Sequence, residues 1–276
     1  MLLTPGNYFL GRRLSSTSSV VELEHSEYIP SDGNKTQGAL VILHGLFGSK
    51  QNWSSLSKAF SKDLNKPVYA LDLRNHGRSP HALPMTYSQM AADVLHFIQK
   101  NDLTEISLLG HSMGGKVVMS LALNPNLPSS ILSNLIVADI APSRGELSDE
   151  FMSYIHAMKK IESMKLTTRK EATEVLQQFE KDPGVIAFLL TNLILPSSSS
   201  QYAHFRIPLD ILGDAITEMG SFPYAPGETK FEGRTLFVKG EKSNFINRHN
   251  IPAIDALFPN KTMKMMDTGH WVHGER

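Results

Sequence analysis

Ser112 stands at the centre of Gly110-His111-Ser112-Met113-Gly114. The apolar run Ile106 to Leu109 leads into this pentapeptide, and an apolar-periodic segment from Lys116 to Leu123 leads out of it. The order is strand, sharp turn, helix, with a serine at the apex. A G-x-S-x-G turn of this kind pushes a hydroxyl clear of a sheet. It needs glycine where backbone passes close to backbone, at Gly110 and Gly114. A serine hydroxyl is a weak nucleophile until a base takes its proton. Three further parts are therefore required: a base, an acid to orient it, and donors for the oxyanion of a tetrahedral intermediate.

Candidates for each part follow apolar runs of strand length. His44-Gly45-Leu46-Phe47-Gly48 comes directly after Ala39 to Leu43. Backbone N–H groups there can hold an oxyanion without reorganising, and one such donor is worth about 3 kcal/mol. The donor pair is read as the N–H groups of Leu46 and Met113, with Phe47 competing for the first place. His270 and His273 follow the last apolar segment, and either can reach an apical serine. His76, in Asp72-Leu73-Arg74-Asn75-His76-Gly77, precedes the serine, against the order serine, acid, histidine. Loop-ordering or solvated roles are assigned to Arg74, His76 and Arg78. The acid is expected after the penultimate strand, in Gly240-Glu241-Lys242-Ser243-Asn244, yet Asn244 occupies the place where aspartate is common. Asparagine has no charge with which to stabilise an imidazolium. Asp139, directly after Leu135 to Ala138, is preferred; Glu241 is next, then Asp267 and Asp255. A structural role open to Asp139 is capping the Ser143-Arg144 turn.

The elements that must position these residues alternate. Strands are expected over Val20–His25, Ala39–Leu43, Pro67–Leu71, Ile106–Leu109, Leu135–Ala138, Thr235–Val238 and Thr262–Met266. Helical stripes separate them, such as Tyr87, Met90, Val94 and Ile98. The uninterrupted apolar strands suit a parallel sheet covered on both faces. From 147 to 226 the pattern turns helical with no obvious strand. It is read as a cap over the sheet's C-terminal edge, with Met152, Ile155, Phe188 and Phe205 as candidate pocket or core residues. The core then comprises 21–146 and 227–276.

Composition narrows the function class. The 276-residue chain has 27 basic and 27 acidic residues, so nothing in its net charge favours nucleic acid. It has no cysteine, which excludes disulfides, thiolate zinc sites and a cysteine nucleophile. No apolar run is long enough for a transmembrane helix. Residues 1–20 carry Arg12, Arg13 and several serines with no acid before Glu22, the features of a mitochondrial transit segment.

His44-Gly45-Leu46-Phe47-Gly48-Ser49, Arg74-Asn75-His76-Gly77, Gly110-His111-Ser112-Met113-Gly114-Gly115-Lys116, Ala138-Asp139-Ile140-Ala141-Pro142 and Gly269-His270-Trp271 together resemble the α/β-hydrolase superfamily. The branch they are most similar to holds mitochondrial abhydrolase-domain proteins, small bacterial esterases and yeast ethanol acetyltransferases. The resemblance implies Ser112, Asp139 and His270 as the triad, because in this branch the acid follows the strand after the nucleophile helix. It implies short acyl substrates, acetyl-CoA among them, and calls for no cofactor and no metal. It also implies a last helix beyond the histidine loop, absent from the chain as given, so that either the sequence is truncated or this face is left less covered. The expectation is a serine hydrolase of short acyl esters or thioesters, with water as acceptor. An alcohol acyltransferase is the alternative, and a non-catalytic binding protein of the same fold the second alternative. Haloalkane and epoxide hydrolases would place aspartate where Ser112 stands.

Overall fold

The structure, a computed structural model, describes residues 20–145 and 147–274. The transit reading of the first twenty residues lies almost wholly outside them. The first half of the chain forms β1 (His25–Tyr28), β2 (Leu40–Leu43), α1 (Ser54–Leu64), β3 (Val68–Leu71), α2 (Tyr87–Lys100), β4 (Ile106–His111), α3 (Met113–Ala122) and β5 (Leu132–Ala138). An insertion follows, with α4 (Asp149–Ser163), α5 (Arg169–Leu176), α6 (Pro183–Leu189), β6 (Leu193–Ile194), β7 (His204–Phe205) and α7 (Leu209–Gly220). Alternation resumes with β8 (Arg234–Gly240), α8 (Ile251–Leu257) and β9 (Lys261–Met266).

The strands form one seven-stranded sheet in the order β1-β3-β2-β4-β5-β8-β9. Only β1 is antiparallel; it pairs His25 with Leu71 and Tyr28 with Val68. Every residue of β2 and β3 is buried, because helices cover both faces. The strand period of two splits them. Val41, Leu43, Tyr69 and Leu71 join the larger core, while Leu40, Ile42, Val68 and Ala70 join a smaller one with Trp53.

Two expectations need correction. The first strand begins at His25, not Val20. Val21 and Leu23 are buried, but the backbone before β1 is satisfied by side chains. Val21 N–H donates to Asp93 Oδ1 at 2.9 Å and Glu24 N–H to Ser79 Oγ at 2.9 Å. The insertion also contains a strand pair, β6 with β7, in which Leu193 faces Phe205.

β3 and β4 lie on opposite sides of β2, so the chain reverses its direction of travel across the sheet there. In open α/β sheets the crevice beyond the strands at such a switch is where ligands bind. The His44 loop leaves β2 and the Ser112 turn leaves β4 at this point. Asp139 follows β5, and His270 follows β9.

Candidate active site

The turn at Ser112 is built by close backbone approach. A Cβ on Gly110 would meet Gly114 O at 2.2 Å, and one on Gly114 would meet His44 O at 2.5 Å. Ser112 has φ 52 and ψ −117, a conformation that L residues seldom adopt. Its N–H donates to Ala138 O at 3.0 Å, which ties the turn to the end of β5. Helix α3 begins at Met113 and is buried along its whole length. Strain at Ser112 is thus held in place by packing on both sides.

Asp139 also has positive φ, 51, and its side chain has no exposure. Its N–H donates to Val238 O at 2.8 Å, and its Oδ1 accepts from Gly240 N–H at 3.0 Å. The other oxygen, Oδ2, lies 2.8 Å from His270 Nδ1. This fixes the tautomer, with Nδ1 protonated and Nε2 left as the basic nitrogen. Phe245 stacks on the His270 ring at 3.9 Å between centroids. Ser112 and His270 face one cavity of about 200 Å³. Ser112 Oγ makes no hydrogen bond among the described residues, and in a site without substrate that contact is commonly long.

The loop after β2 is set by buried histidines. Phe47 N–H donates to His76 Nε2 at 3.2 Å, while His76 Nδ1–H donates to Arg74 O at 3.0 Å. Phe47 O accepts from Asn192 Nδ2 at 2.8 Å. The Phe47 N–H is therefore occupied. The N–H groups of Leu46 and Met113 have no acceptor among the described residues. His44 donates from Nδ1 to Gly45 O at 2.8 Å and accepts at Nε2 from Leu73 N–H at 3.0 Å. Both rings must be neutral to make these bonds. Burial, aided for His76 by neighbouring His44, lowers both, with His76 pulled down to about 3.

The other candidate acids sit elsewhere, whereas His273 lines the same cavity as Ser112. Glu241 and Asp267 are exposed, and Asp255 pairs with Lys261 at 2.6 Å. His273 stacks on Trp53 at 4.3 Å, and burial followed by the proximity of His270 lowers it to about 4. Arg74 and His76 are fully buried rather than solvated. Arg74 forms a bidentate pair with Asp93, at 2.6 and 2.7 Å, that anchors the loop after β3 to α2. Of the insertion residues singled out, Phe188 lines the cavity, whereas Ile155 and Phe205 are core and Met152 packs against it.

Sequence reasoning passed over His111 and Phe245. His111 is 3% exposed, and its Nε2–H donates to His270 O at 2.9 Å. Burial, then His270 and His273, hold it well below the usual histidine range, so it stays neutral. Its one sequence signal is its place beside Ser112. Phe245 follows Asn244 directly, but no local pattern marks it as a partner of His270.

Residues 38–276 match the family model described as alpha/beta hydrolase fold. This chain belongs to the α/β-hydrolase family. This α/β hydrolase is 36% identical over 266 residues to a Danio rerio protein named sn-1-specific diacylglycerol lipase ABHD11, spanning 94% of this chain and 80% of that one. It is 38% identical over 261 residues to a Saccharomyces cerevisiae protein named probable alcohol acetyltransferase, spanning 89% of this chain and 75% of the relative. A solved structure described as a marine microorganism esterase superposes with TM-score 0.83 at 33% identity, covering 93% of this chain and 95% of the other. No helix among the described residues is long and apolar enough to cross a membrane.

Proposed function

We propose that this α/β hydrolase is a serine hydrolase acting on short acyl esters or thioesters through Ser112, His270 and Asp139. The observation that carries the reading is the 2.8 Å contact between His270 Nδ1 and Asp139 Oδ2, in the same cavity as Ser112 on its strained turn. Ser112 Oγ attacks the acyl carbon and its proton passes to His270 Nε2. The carbonyl oxygen becomes an oxyanion and is met by the N–H groups of Leu46 and Met113. Collapse breaks the bond to the alcohol or thiol, which leaves with the proton from His270. Water then gives a proton to His270 and attacks the acyl carbon; collapse breaks the bond to Ser112 Oγ, which takes the proton back from His270 as the acid leaves. Asp139 stabilises each imidazolium without being protonated.

Alcohol in place of water gives an ester product by the same steps. This second reading is favoured by the yeast relative and by the apolar wall that Val185, Phe188 and Trp271 present beside Ser112. Acetyl-CoA is the proposed acyl donor in that case. Purified protein with acetyl-CoA, with and without ethanol, separates the two by the yield of ethyl acetate against free acetate. Fluorophosphonate labelling tests the shared chemistry: label on Ser112, lost in Ser112→Ala, is expected, and a folded protein that takes no label removes the reading. The same reading places the protein in mitochondria, on the arginine and serine content of residues 1–20. A fusion of those residues to a fluorescent protein is expected to be imported; a diffuse signal counts against it.

A further inference from the structure

Two cavities meet at Ser112, and only one of them touches His270. The second, of about 180 Å³, is lined by Met113, Lys116, Ile140 and Met219. Leu46, Ser112, Phe151 and Phe245 belong to both walls, so two phenylalanine rings stand between the cavities. The division has a chemical consequence. His270 must protonate the departing alcohol or thiol and later deprotonate the acceptor. Both groups therefore need the cavity that His270 lines. The acyl chain takes part in neither proton transfer, and the second cavity is left to it.

That cavity has an unusual wall. Lys116 is 5% exposed and lies in the first turn of α3, four residues beyond Ser112. Its Nζ donates to the carbonyls of Met219, Gly220 and Ser221 at 3.4, 3.2 and 2.8 Å. Met219 and Gly220 line the same cavity. Lys116 forms no ion pair among the described residues. The carbonyl end of α7 offsets about half a unit charge, and Glu218 acts on the ammonium from farther away. Burial pulls Lys116 down to about 8, against that pull from Glu218, so the group remains mainly a cation at neutral pH. Folding has already stripped it of water, so an incoming anion meets a fixed charge. The 3.4 Å contact to Met219 O is the weakest of the three, and its proton is the one most readily shared.

We propose that the second cavity receives the acyl group and that Lys116 makes it selective for short acyl groups ending in a carboxylate, as in hemi-esters and hemi-thioesters of short dicarboxylic acids. The proposal rests on the serine-hydrolase reading above. Hydrolysis of p-nitrophenyl hemisuccinate and p-nitrophenyl butyrate tests it, since the two acyl chains have equal length and share a leaving group. Rates are taken above those of Ser112→Ala, which removes the background reaction. The full chain is expected to prefer the hemisuccinate by about tenfold or more in kcat/KM, the scale of one hydrogen bond to a charged group. Lys116→Met is expected to abolish that preference. A preference for butyrate, or one unchanged in Lys116→Met, would show that Lys116 only ties down α7 and would overturn the proposal. Should Lys116→Met not fold, Phe188→Ala in the first cavity serves instead. It is expected to change the dependence on the leaving group and leave the ratio of the two acyl groups intact; a shifted ratio overturns the partition. Ser112 labelled by fluorophosphonate, together with a preference for butyrate, sinks this proposal alone. Absence of both labelling and hydrolysis removes the reading beneath it.

Discussion

His111 Nε2–H donates to the carbonyl of His270 at 2.9 Å, joining the residue before the candidate nucleophile to the candidate base across 159 positions of chain. The bond links the end of β4 to the loop after β9, and β4 and β9 share no strand ladder. The rings of His111 and His270 are 4.7 Å apart, so a change at one is felt at the other. His111→Leu is expected to lower kcat by about tenfold, the worth of one positioning hydrogen bond, with a small change in KM. His111→Gln keeps a donor and is expected to recover part of the loss. Steady-state kinetics on a p-nitrophenyl ester read both; an unchanged kcat in His111→Leu would mean that packing alone holds the His270 loop against the end of β4.

The acid assignment separates by mutation. Asp139→Asn removes the charge beside His270 and is expected to lower kcat by a factor on the order of 10⁴. Glu241→Gln alters an exposed side chain and is expected to leave kcat within about twofold. Full activity in Asp139→Asn would refute the assignment.

Acid is expected to destabilise the fold through its buried histidines. His76 has no exposure and is held down to about 3, against 6.5 for the unfolded chain. Below pH 6.5 the unfolded state takes up a proton that the folded state refuses, so stability falls with pH from about 6.5 to about 3. The largest loss from this residue is of order 5 kcal/mol. His76→Gln is expected to be less stable at pH 7, since Phe47 N–H and Arg74 O lose an ideal partner, but to show a shallower decline between pH 6 and 4. Urea unfolding across that range checks the slope, and parallel curves for the two proteins would rule His76 out as its source.

Asp93→Ala leaves Arg74 buried without its carboxylate and frees Val21 N–H as well. Such a change is expected to cost about 3 to 5 kcal/mol. Thermal unfolding should show a fall in Tm of several degrees. Fluorophosphonate labelling of Ser112 at low temperature should survive, because the pair joins the loop after β3 to α2 and neither residue lines the cavity that holds Ser112. Loss of labelling in a folded variant would place that loop in the site.

Features set by near neighbours in the chain could be read from residue order. The continuous apolar strands, the glycine-flanked turn at Ser112 and the helix after it are short-range consequences of side-chain volume and backbone sterics. The start of β1 could not be read so, because Val21 and Glu24 find their hydrogen-bond partners 72 and 55 residues away. The same limit applies around the candidate site. Leu46 and Phe47 are equivalent donors on paper; only the arrival of His76 against the Phe47 N–H distinguishes them. Asp139 and Glu241 are both acids directly after strands of the sheet. It is the register of β5 beside β8 that sets Asp139 against Gly240 and turns its other oxygen to His270, 131 residues away. The sequence by itself determined the order of the sheet's strands and the helices between them, though not the short β6–β7 pair, and the types of group at their ends. Tertiary structure decided which of those groups meet, because a contact between distant loops depends on the packing of everything between them.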